Sequence, residues 1–198
     1  MNLDFSVIQN QKNLLAFSAG VDSSALFFLL LEQSIPFDIA IVNYNLRVQS
    51  KDEVFYAKNL ASKYKKNIFL KETKIENISN FEKNARDIRY KFFDEIILEN
   101  SYENLITAHQ LNDKLEWFMM QLSKGAGLVE LIGFNEFEQK ENHKIYKPLL
   151  NITKEELENY LKINNHKYFV DQSNFDEKYK RNYFRHTFSN KFLENFSS

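Results

Sequence analysis

The stretch 14-LLAFSAGVDSSALFFLLL-31 joins two apolar runs through a short polar loop. The first run predicts a buried strand at 13–17, and the second predicts a helix at 24–33 that packs on a sheet. The loop between them, Ser18–Ser23, precedes a helix start, where backbone N–H groups are unpaired and attract anions. Gly20 lets the backbone approach a phosphate closely, and the serine hydroxyls add donors. The stretch is therefore a candidate phosphate-binding loop.

Asp22 is unusual in a phosphate cradle, because a carboxylate repels an anion. It suits a Mg²⁺ ion that accompanies the phosphates. The other interpretation is plain capping of the helix by Asp22 or Ser23, which needs no ligand. The loop is not a Walker A loop, since it has no lysine.

Strand and helix patterns alternate along the chain. Further strands are predicted at 37–43, 67–71, 104–107 and 144–146, and helices at 51–64, 81–99, 112–124, 154–164 and about 181–193. This alternation predicts an α/β fold, a parallel sheet sandwiched by helices, with a short helical C-terminal extension. Ligands of such sheets bind at the carboxyl ends of the strands, where the loops Ser18–Ser23 and His109–Glu116 are placed.

Length and composition set broad limits. The 198 residues suggest one domain, with a soft internal boundary near 125–150 and a basic extension at 151–198. The absence of cysteine excludes zinc-thiolate sites, iron–sulfur ligands and persulfide carriers. The chain shows no signal-peptide pattern and no apolar run of membrane-spanning length, so we expect a cytoplasmic protein without a membrane partner. A net charge of −1 means that any nucleic-acid site must be local.

The loop sequence SAGVDSS resembles the S-G-G-x-D-S pyrophosphate loop of the PP-loop ATP pyrophosphatases. The resemblance implies a PP-loop domain, which is Rossmann-like and adenine nucleotide alpha hydrolase-like. It also implies cleavage of ATP to AMP and pyrophosphate. Ala19 stands where the motif has its second glycine. If that position needs a positive φ, alanine there costs about 1 kcal/mol.

Five other segments, in the same order along the chain, resemble those of bacterial tRNA(Ile)-lysidine synthetases. They are VNYNLRVQSKDEVFYAK (42–58), NARDIRYKFF (84–93), TAHQLNDKLEWFMMQLSKGAG (107–127), KPLL (147–150) and DQSNFDEKYKRNYFR (171–185). That family adenylates C2 of the wobble cytidine of a CAU-anticodon tRNA(Ile) with ATP, and then joins lysine to the same carbon.

The resemblance implies ATP and Mg²⁺ as cofactors, and L-lysine and tRNA(Ile) as substrates. It assigns residues by motif. The pyrophosphate would be bound by Ser18, Ala19, Gly20, Val21, Asp22 and Ser23, with Asp22 on Mg²⁺. The catalytic set would be Asp22, His109, Asp113 and Glu116. Substrate and tRNA contacts would come from Asn43, Arg47, Arg86, Arg89, Gly125, Gly127, Asn174, Arg181 and Arg185.

Each of these assignments has an ordinary structural alternative. Arg86 and Arg89, three apart on one helix, could share an anionic partner or form intrahelical ion pairs with Glu82 and Asp87. His109 is equally a hydrogen-bonded structural residue.

The carboxylates and glycines further along the chain also have two possible interpretations. Asp113 and Glu116, also three apart, could bind Mg²⁺ or an amine, or be a cap and an exposed carboxylate. Gly125 could be a helix C-cap.

The C-terminal stretch from Lys178 to Lys191 is the strongly basic part of the chain and contains no Asp or Glu. Basic residues interleaved with aromatic ones suit phosphate contact and base stacking. The alternative is a terminal helix that packs Phe184, Phe188 and Phe192 and leaves the charges in solvent.

The chain departs from the family pattern at Asn43 and Asn112, where carboxylates have become amides, and at Tyr44 and Gln110, where histidines are expected. Two other functions therefore stay open. One is another ATP-dependent PP-loop enzyme that modifies tRNA, and the other is a catalytically decayed tRNA-binding paralogue.

Overall fold

The computed structural model describes residues 3–46, 49–75, 81–170, 183–189, 192–193 and 195, without the side chains of Glu82 and His186. In that part of the chain the strands are β1 (Asn13–Ala16), β2 (Phe37–Asn43), β3 (Ile68–Glu72), β4 (Asn104–Ile106), β5 (Phe137–Gln139) and β6 (Lys144–Tyr146). The helices are α1 (Val21–Glu32), α2 (Gln49–Lys63), α3 (Phe81–Asn100), α4 (Leu111–Leu122), α5 (Leu128–Leu131) and α6 (Lys154–Ile163). A 3₁₀ turn at Ser6–Ile8 precedes β1, and a π-helical turn at Arg185–Ser189 lies in the tail.

The strands form one sheet in the order β3-β2-β1-β4-β6-β5. All neighbours are parallel except β5, which runs antiparallel to β6. Leu14 is level with Asp38 on β2 and with Leu105 on β4, so the carboxyl ends of these strands form one edge. The strand order reverses between β1 and β4, and crevices at such a point are the usual ligand sites of open α/β sheets. The phosphate loop leaves β1 at this point.

Apolar cores lie on both faces of the sheet. On one face α1, α2 and α6 pack together, and six consecutive residues of α1, from Ala25 to Leu30, are buried there. On the other face Phe93, Ile96 and Ile97 of α3 cover Leu14 and other strand residues. Helices therefore cover both faces, and the predicted α/β sandwich is confirmed. Within the described ranges no helix is long and apolar enough to cross a membrane.

The predicted strands and helices before the tail are present with ends that differ by at most three residues. α5 and β5 were not predicted, because they are too short and too exposed to show a hydrophobic period. β5 and β6, from the region 125–150, extend the same sheet.

The described part of the tail is helical, as predicted for 181–193. It is helical at Tyr183 and Phe184, continues as the π-helical turn, which packs against α4, and is helical again at 192–193. Phe188 and Phe192 are 41% and 53% exposed, so the expected apolar stripe is wrong at these two positions. What the turn brings to α4 is Arg185.

Candidate functional site

The phosphate loop Ser18–Ser23 closes on itself through its serines. The hydroxyl oxygens of Ser18 and Ser23 are 3.0 Å apart, and the Ser23 hydroxyl accepts the Ser18 N–H at 3.2 Å. The Ser23 hydroxyl also lies 3.3 Å from the carbonyl of Gly20, to which it can donate. Gly20 is the residue before α1 and has no side chain to cap it. The first turn of α1 thus presents its N–H groups and the positive end of its dipole to a ligand.

Ala19 is the strained residue of this loop. It has φ +62°, and its side chain is fully buried. Position 19 thus does have a positive φ, and alanine there costs about 1 kcal/mol for a left-handed backbone. Gly20, in contrast, has an extended backbone with φ −74°, and a Cβ there would lie 3.4 Å from the Ser18 hydroxyl. The backbone angle therefore does not require glycine at position 20. Glycine instead leaves the space beside the loop open for a ligand.

Asp22 does not cap α1. It is the second residue of the helix, and the Ser23 hydroxyl bonds within the loop, so the plain-capping interpretation is wrong. Its Oδ1 is buried and has no hydrogen-bond partner within the described ranges. A buried carboxylate oxygen without a donor is unfavourable. Burial, followed by the charge of Asp113, raises the pKa of Asp22 to about 7.

An unsatisfied carboxylate oxygen beside a phosphate loop fits a magnesium ion. In the part of the chain that the structure describes, no group of three or more His, Cys, Asp or Glu residues could hold a metal alone. Mg²⁺ commonly takes one or two carboxylates and completes its shell with phosphate oxygens and water. Asp22 thus fits a Mg²⁺ ion that arrives with a nucleotide.

The start of α4 brings a second polar group to the same edge. Gln110 precedes the helix and accepts the Asn112 N–H, and Asp113 accepts the Gln110 N–H at 3.1 Å. The Asn112 side-chain oxygen accepts the Lys154 N–H at 3.0 Å and so joins α4 to the start of α6. An amide oxygen accepts this bond as a carboxylate oxygen would, so asparagine at position 112 retains a structural contact.

Glu116 is the most buried charge of the site, with a side chain only 1% exposed. The Arg185 guanidinium holds it in a bidentate pair, with Nε 2.6 Å from Oε1 and Nη2 3.2 Å from Oε2. The same Nη2 lies 3.7 Å from Oδ1 of Asp113. The alternative of an exposed carboxylate at position 116 is therefore wrong. Arg185, expected on tRNA, contacts these two carboxylates, and its role toward tRNA stays a prediction.

The loop, α4, α6 and the tail meet around Asp22. The charges of Asp113, Lys154 and Arg185 all act on its carboxylate, as does that of Glu158 on α6. Sequence reasoning missed Lys154 and Glu158. The capping box of Thr153 with Glu156 marks the start of α6, but its closeness to the phosphate loop follows from the packing of α6 on α1 and the charge effect of Lys154 on Asp22.

His109 lies at the same edge after β4 and is half-buried. Its Nδ1 is 2.9 Å from the hydroxyl of Thr107, and its ring meets Phe134 edge-on. These contacts fix the orientation of the ring. The hydrogen-bonded structural role is therefore present, and a catalytic role stays a prediction.

The end of β2 forms its own hydrogen-bonded turn. Asn43 is buried, its Oδ1 accepts the Asn45 N–H at 2.8 Å, and its Nδ2 donates to Oδ1 of Asn45 at 3.1 Å. A second Nδ2 contact reaches Glu72 at 3.4 Å. A carboxylate could not donate these bonds, so the amide at position 43 suits its surroundings.

Arg86 and Arg89 are both exposed on α3. The Arg86 guanidinium stacks 4.5 Å from the ring centre of Tyr90 and donates to its hydroxyl at 3.2 Å. The expected pair with Asp87 is thus replaced by an aromatic contact. Burial raises the pKa of the Tyr44 phenol, and the positive charge of Arg89 opposes this rise. Arg89 is therefore close enough to act on Tyr44. Tyr44 in turn donates to the Ala85 carbonyl at 2.7 Å and joins β2 to α3.

Gly125 and Gly127 lie in the turn between α4 and α5. Gly125 has φ +69°, as a turn after a helix requires, and Gly127 precedes α5. Both are exposed. Arg47, Asn174 and Arg181, which the sequence analysis also singled out, lie outside the described residues.

Comparison with known proteins agrees with this geometry. A family model described as a PP-loop domain matches residues 3–192. Among curated proteins, tRNA(Ile)-lysidine synthase of Campylobacter jejuni strain RM1221 is 51% identical over 96% of the chain, which spans 59% of that relative. The enzyme of the same name from Helicobacter hepaticus is 50% identical over 98% of the chain and 47% of its own length. The chain thus spans about half of the length of such relatives.

Solved structures share the fold at low sequence identity. A U34-tRNA thiolase from Methanococcus maripaludis superposes with a TM-score of 0.71 at 21% identity, covering 97% of this chain and 75% of that one. The NH₃-dependent NAD synthetase of Campylobacter jejuni gives 0.53 at 16% identity, covering 96% and 81%. At this identity the likeness concerns the fold. With the loop geometry and the family match over nearly the whole chain, it leads to one assignment: the chain belongs to the PP-loop domain family.

Proposed function

We propose that the chain catalyses the ATP-dependent ligation of L-lysine to C2 of the wobble cytidine in the CAU anticodon of tRNA(Ile). The observation that carries the proposal is the convergence of two different groups on one edge of the sheet. One is a phosphate loop with the buried, unsatisfied carboxylate of Asp22, and the other is the carboxylate pair of α4. The name of relatives up to 51% identical, tRNA(Ile)-lysidine synthase, supports tRNA(Ile) as the substrate and lysidine as the product.

In the first step the C2 oxygen of the cytidine attacks the α-phosphorus of ATP. The bond from that phosphorus to the bridging oxygen breaks, and pyrophosphate leaves. The N–H groups at the start of α1 and the hydroxyls of Ser18 and Ser23 bind the β- and γ-phosphates. Asp22 holds Mg²⁺, which neutralises charge on the phosphates.

In the second step the lysine ε-amine attacks C2, a C–N bond forms, and AMP leaves with the oxygen. The amine arrives as an ammonium group and must lose a proton before it attacks. Asp113 and Glu116 together carry two negative charges against the single positive charge of Arg185. The remaining negative charge attracts the ammonium group, and the carboxylate that faces it takes up the proton. His109 lies at the same edge and orients the reacting groups.

Transfer RNA is bound through basic side chains around this edge. Arg86 and Arg89 are exposed on α3, and the basic stretch 178–191 follows the site in sequence. Arginines suit phosphate contacts because their fork of N–H groups matches phosphate oxygens. Contacts by Arg47, Asn174 and Arg181 rest on the family resemblance alone.

The test is a nucleoside assay. The chain is incubated with ATP, Mg²⁺, lysine and unmodified tRNA(Ile), and the digested tRNA is searched for lysidine. Exchange of labelled pyrophosphate into ATP, measured with tRNA and without lysine, reports the first step alone. A tRNA with a different anticodon is the matched control. Lysidine in the CAU tRNA only is the expected result.

Two other outcomes would contradict the proposal and identify the alternatives. Pyrophosphate exchange without lysidine, with another modified base at the wobble position, indicates a different PP-loop enzyme. Tight binding of tRNA(Ile) without any exchange indicates a binding paralogue. The two amides that prompted the second alternative make structural hydrogen bonds, which account for them without a loss of catalysis.

A further inference from the structure

The segment His166–Val170, here named the strap, runs from α6 past the phosphate loop. The Phe169 N–H donates to the Ala19 carbonyl at 2.9 Å. Gly20 and Phe169 face each other as a short parallel bridge. The strap therefore pairs with the loop through its backbone, as an added strand pairs with a sheet.

The strap is itself anchored to the helices of the core. The His166 ring stacks on Phe28 of α1, with ring centres 3.5 Å apart. The Tyr56 hydroxyl donates to the Lys167 carbonyl at 2.5 Å, and Gln49 donates to the Val170 carbonyl at 3.3 Å, both from α2. These contacts hold the strap at a fixed place relative to α1, so its bond to Ala19 has a rigid support.

Ala19 needs such a support. A residue with a side chain and a φ of +62° is strained, and such strain persists only where the surroundings over-determine the conformation. The serine hydrogen bonds are all internal to the loop. Besides the apolar packing around its buried side chain, Ala19 receives a backbone hydrogen bond from outside the loop, donated by the Phe169 N–H. If Ala19 relaxed to a negative φ, the backbone of Gly20 and the start of α1 would turn away from the ligand.

We infer that the backbone N–H of Phe169 positions the phosphate loop for ATP, which makes Phe169 a positioning residue of the nucleotide site. The inference rests on the proposed function only in taking ATP as the ligand of the loop. It extends that function by linking nucleotide binding to the segment that leads from α6 into the basic tail.

The first experiment measures ATP binding with Mg²⁺ by titration calorimetry. Phe169→Pro removes the N–H, Phe169→Ala keeps the N–H but removes the ring, and Val170→Pro places the same proline ring one residue later. We expect Phe169→Pro to weaken ATP binding about fivefold, which corresponds to one ordinary hydrogen bond. Val170→Pro should stay within about twofold of wild type, and Phe169→Ala, which loses the ring contact with Tyr56 but keeps the N–H, should lose clearly less affinity than Phe169→Pro. Equal loss in Phe169→Pro and Phe169→Ala would overturn the inference, because the ring would then be responsible.

A rescue tests the link to Ala19. Glycine adopts a positive φ without strain. Ala19→Gly added to Phe169→Pro should therefore bind ATP more tightly than Phe169→Pro alone. A double variant as weak as the single one, with both folded, would show that the N–H does not act through the backbone of residue 19.

Amide hydrogen exchange on the wild-type chain avoids any folding defect of the proline variant. Binding of a non-hydrolysable ATP analogue should slow exchange of the Phe169 amide at least about fivefold, because ligand binding and this hydrogen bond stabilise each other. Unchanged exchange at saturation would overturn the inference. A wild-type chain that binds no ATP would instead refute the proposed function, so the two failures are distinguishable.

Discussion

At the scale of single residues, Asp22 shows how position changes the use of a carboxylate. If it were exposed to solvent, a carboxylate in the first turn of a helix would be an ordinary favourable charge. Here one of its oxygens is buried without a donor, and a second carboxylate, Asp113, raises its pKa further. The fold therefore keeps an unfavourable group at the point where a nucleotide-bound cation would satisfy it. Such unfavourable groups are characteristic of functional sites.

Asp22→Ala should abolish ATP consumption and leave the fold intact. Loss of a Mg²⁺ contact to the phosphates removes several kcal/mol of transition-state stabilisation, which corresponds to a rate at least about a hundredfold lower. Loss of a buried oxygen without a partner changes stability by only about 1 kcal/mol. AMP release in the presence of tRNA measures the rate, and thermal melting checks the fold. Normal AMP release by a folded variant would contradict the assignment.

The raised pKa of Asp22 also predicts a pH dependence of stability. The folded protein keeps this proton up to about pH 7, whereas the unfolded chain releases it near pH 4. The folded state then binds more protons between these values, so stability falls as pH rises from about 4 to 7. Asp113 and Glu158 raise the pKa, and Lys154 and Arg185 oppose them.

The matched variant is Asp22→Asn, which cannot titrate. Without nucleotide, its stability should fall less steeply than that of wild type between pH 5 and pH 7, by a difference of about one proton. Urea unfolding at several pH values measures both slopes. Parallel curves for the two proteins would show that Asp22 is ionised throughout.

At the scale of elements, the pair between Glu116 and Arg185 joins α4 to the tail. The Glu116 side chain is 1% exposed and the Arg185 side chain is 15% exposed, so the ion pair is largely buried. A buried ion pair contributes little net stability, but removal of one partner leaves an uncompensated charge. This asymmetry means that the tail belongs to the site as a structural partner of α4, whatever else it binds.

Arg185→Ala should therefore destabilise the protein by about 3 to 5 kcal/mol. Glu116→Gln combined with Arg185→Ala should lose less than the sum of the two single variants, because position 116 then carries no charge that has lost its partner. Chemical unfolding of the three variants gives the coupling energy. Additive losses would mean that the pair does not form in solution.

Much of the fold could be predicted from the sequence, because its local signals agree with its tertiary structure. The apolar run of α1 is long and continuous, and that of β1, although short, is uninterrupted from Leu14 to Phe17. The partner of Glu116 could not be predicted. A buried carboxylate needs a cation, yet its neighbours Trp117 and Phe118 are exposed, so no local pattern shows that position 116 is buried. Arg185 is 69 residues away, and only the packing of the tail on α4 brings it there.

The role of the strap could not be predicted for the same reason. Phe169 carries no chemical signature, and its backbone N–H acts on Ala19 from 150 residues away in sequence. The glycine motif did indicate the strained position, because alanine in place of glycine marks where a positive φ is needed.

At the scale of the whole molecule, charge is nearly balanced, with 26 basic and 27 acidic residues. Attraction of an RNA must then come from where the basic residues lie. Arg185 is paired with Glu116, and the other lysines and arginines of the stretch 178–191 are Lys178, Lys180, Arg181 and Lys191. The test of the tail therefore leaves Arg185 unchanged, since its removal disturbs the fold.

The combined variant Lys178→Ala, Lys180→Ala and Arg181→Ala should weaken tRNA binding and flatten its salt dependence. Each phosphate neutralised by a basic side chain releases condensed counterions, so three lost contacts reduce the slope of log affinity against log salt by about 2 to 3. Lys65→Ala with Lys144→Ala, at the opposite edge of the sheet, is the control and should keep the wild-type slope. Binding of ATP alone should be unchanged in both, because the phosphate loop keeps its contacts. Filter binding of tRNA(Ile) at several salt concentrations measures the slopes. Coinciding slopes for the tail variant and wild type, both folded, would place the tRNA on another surface.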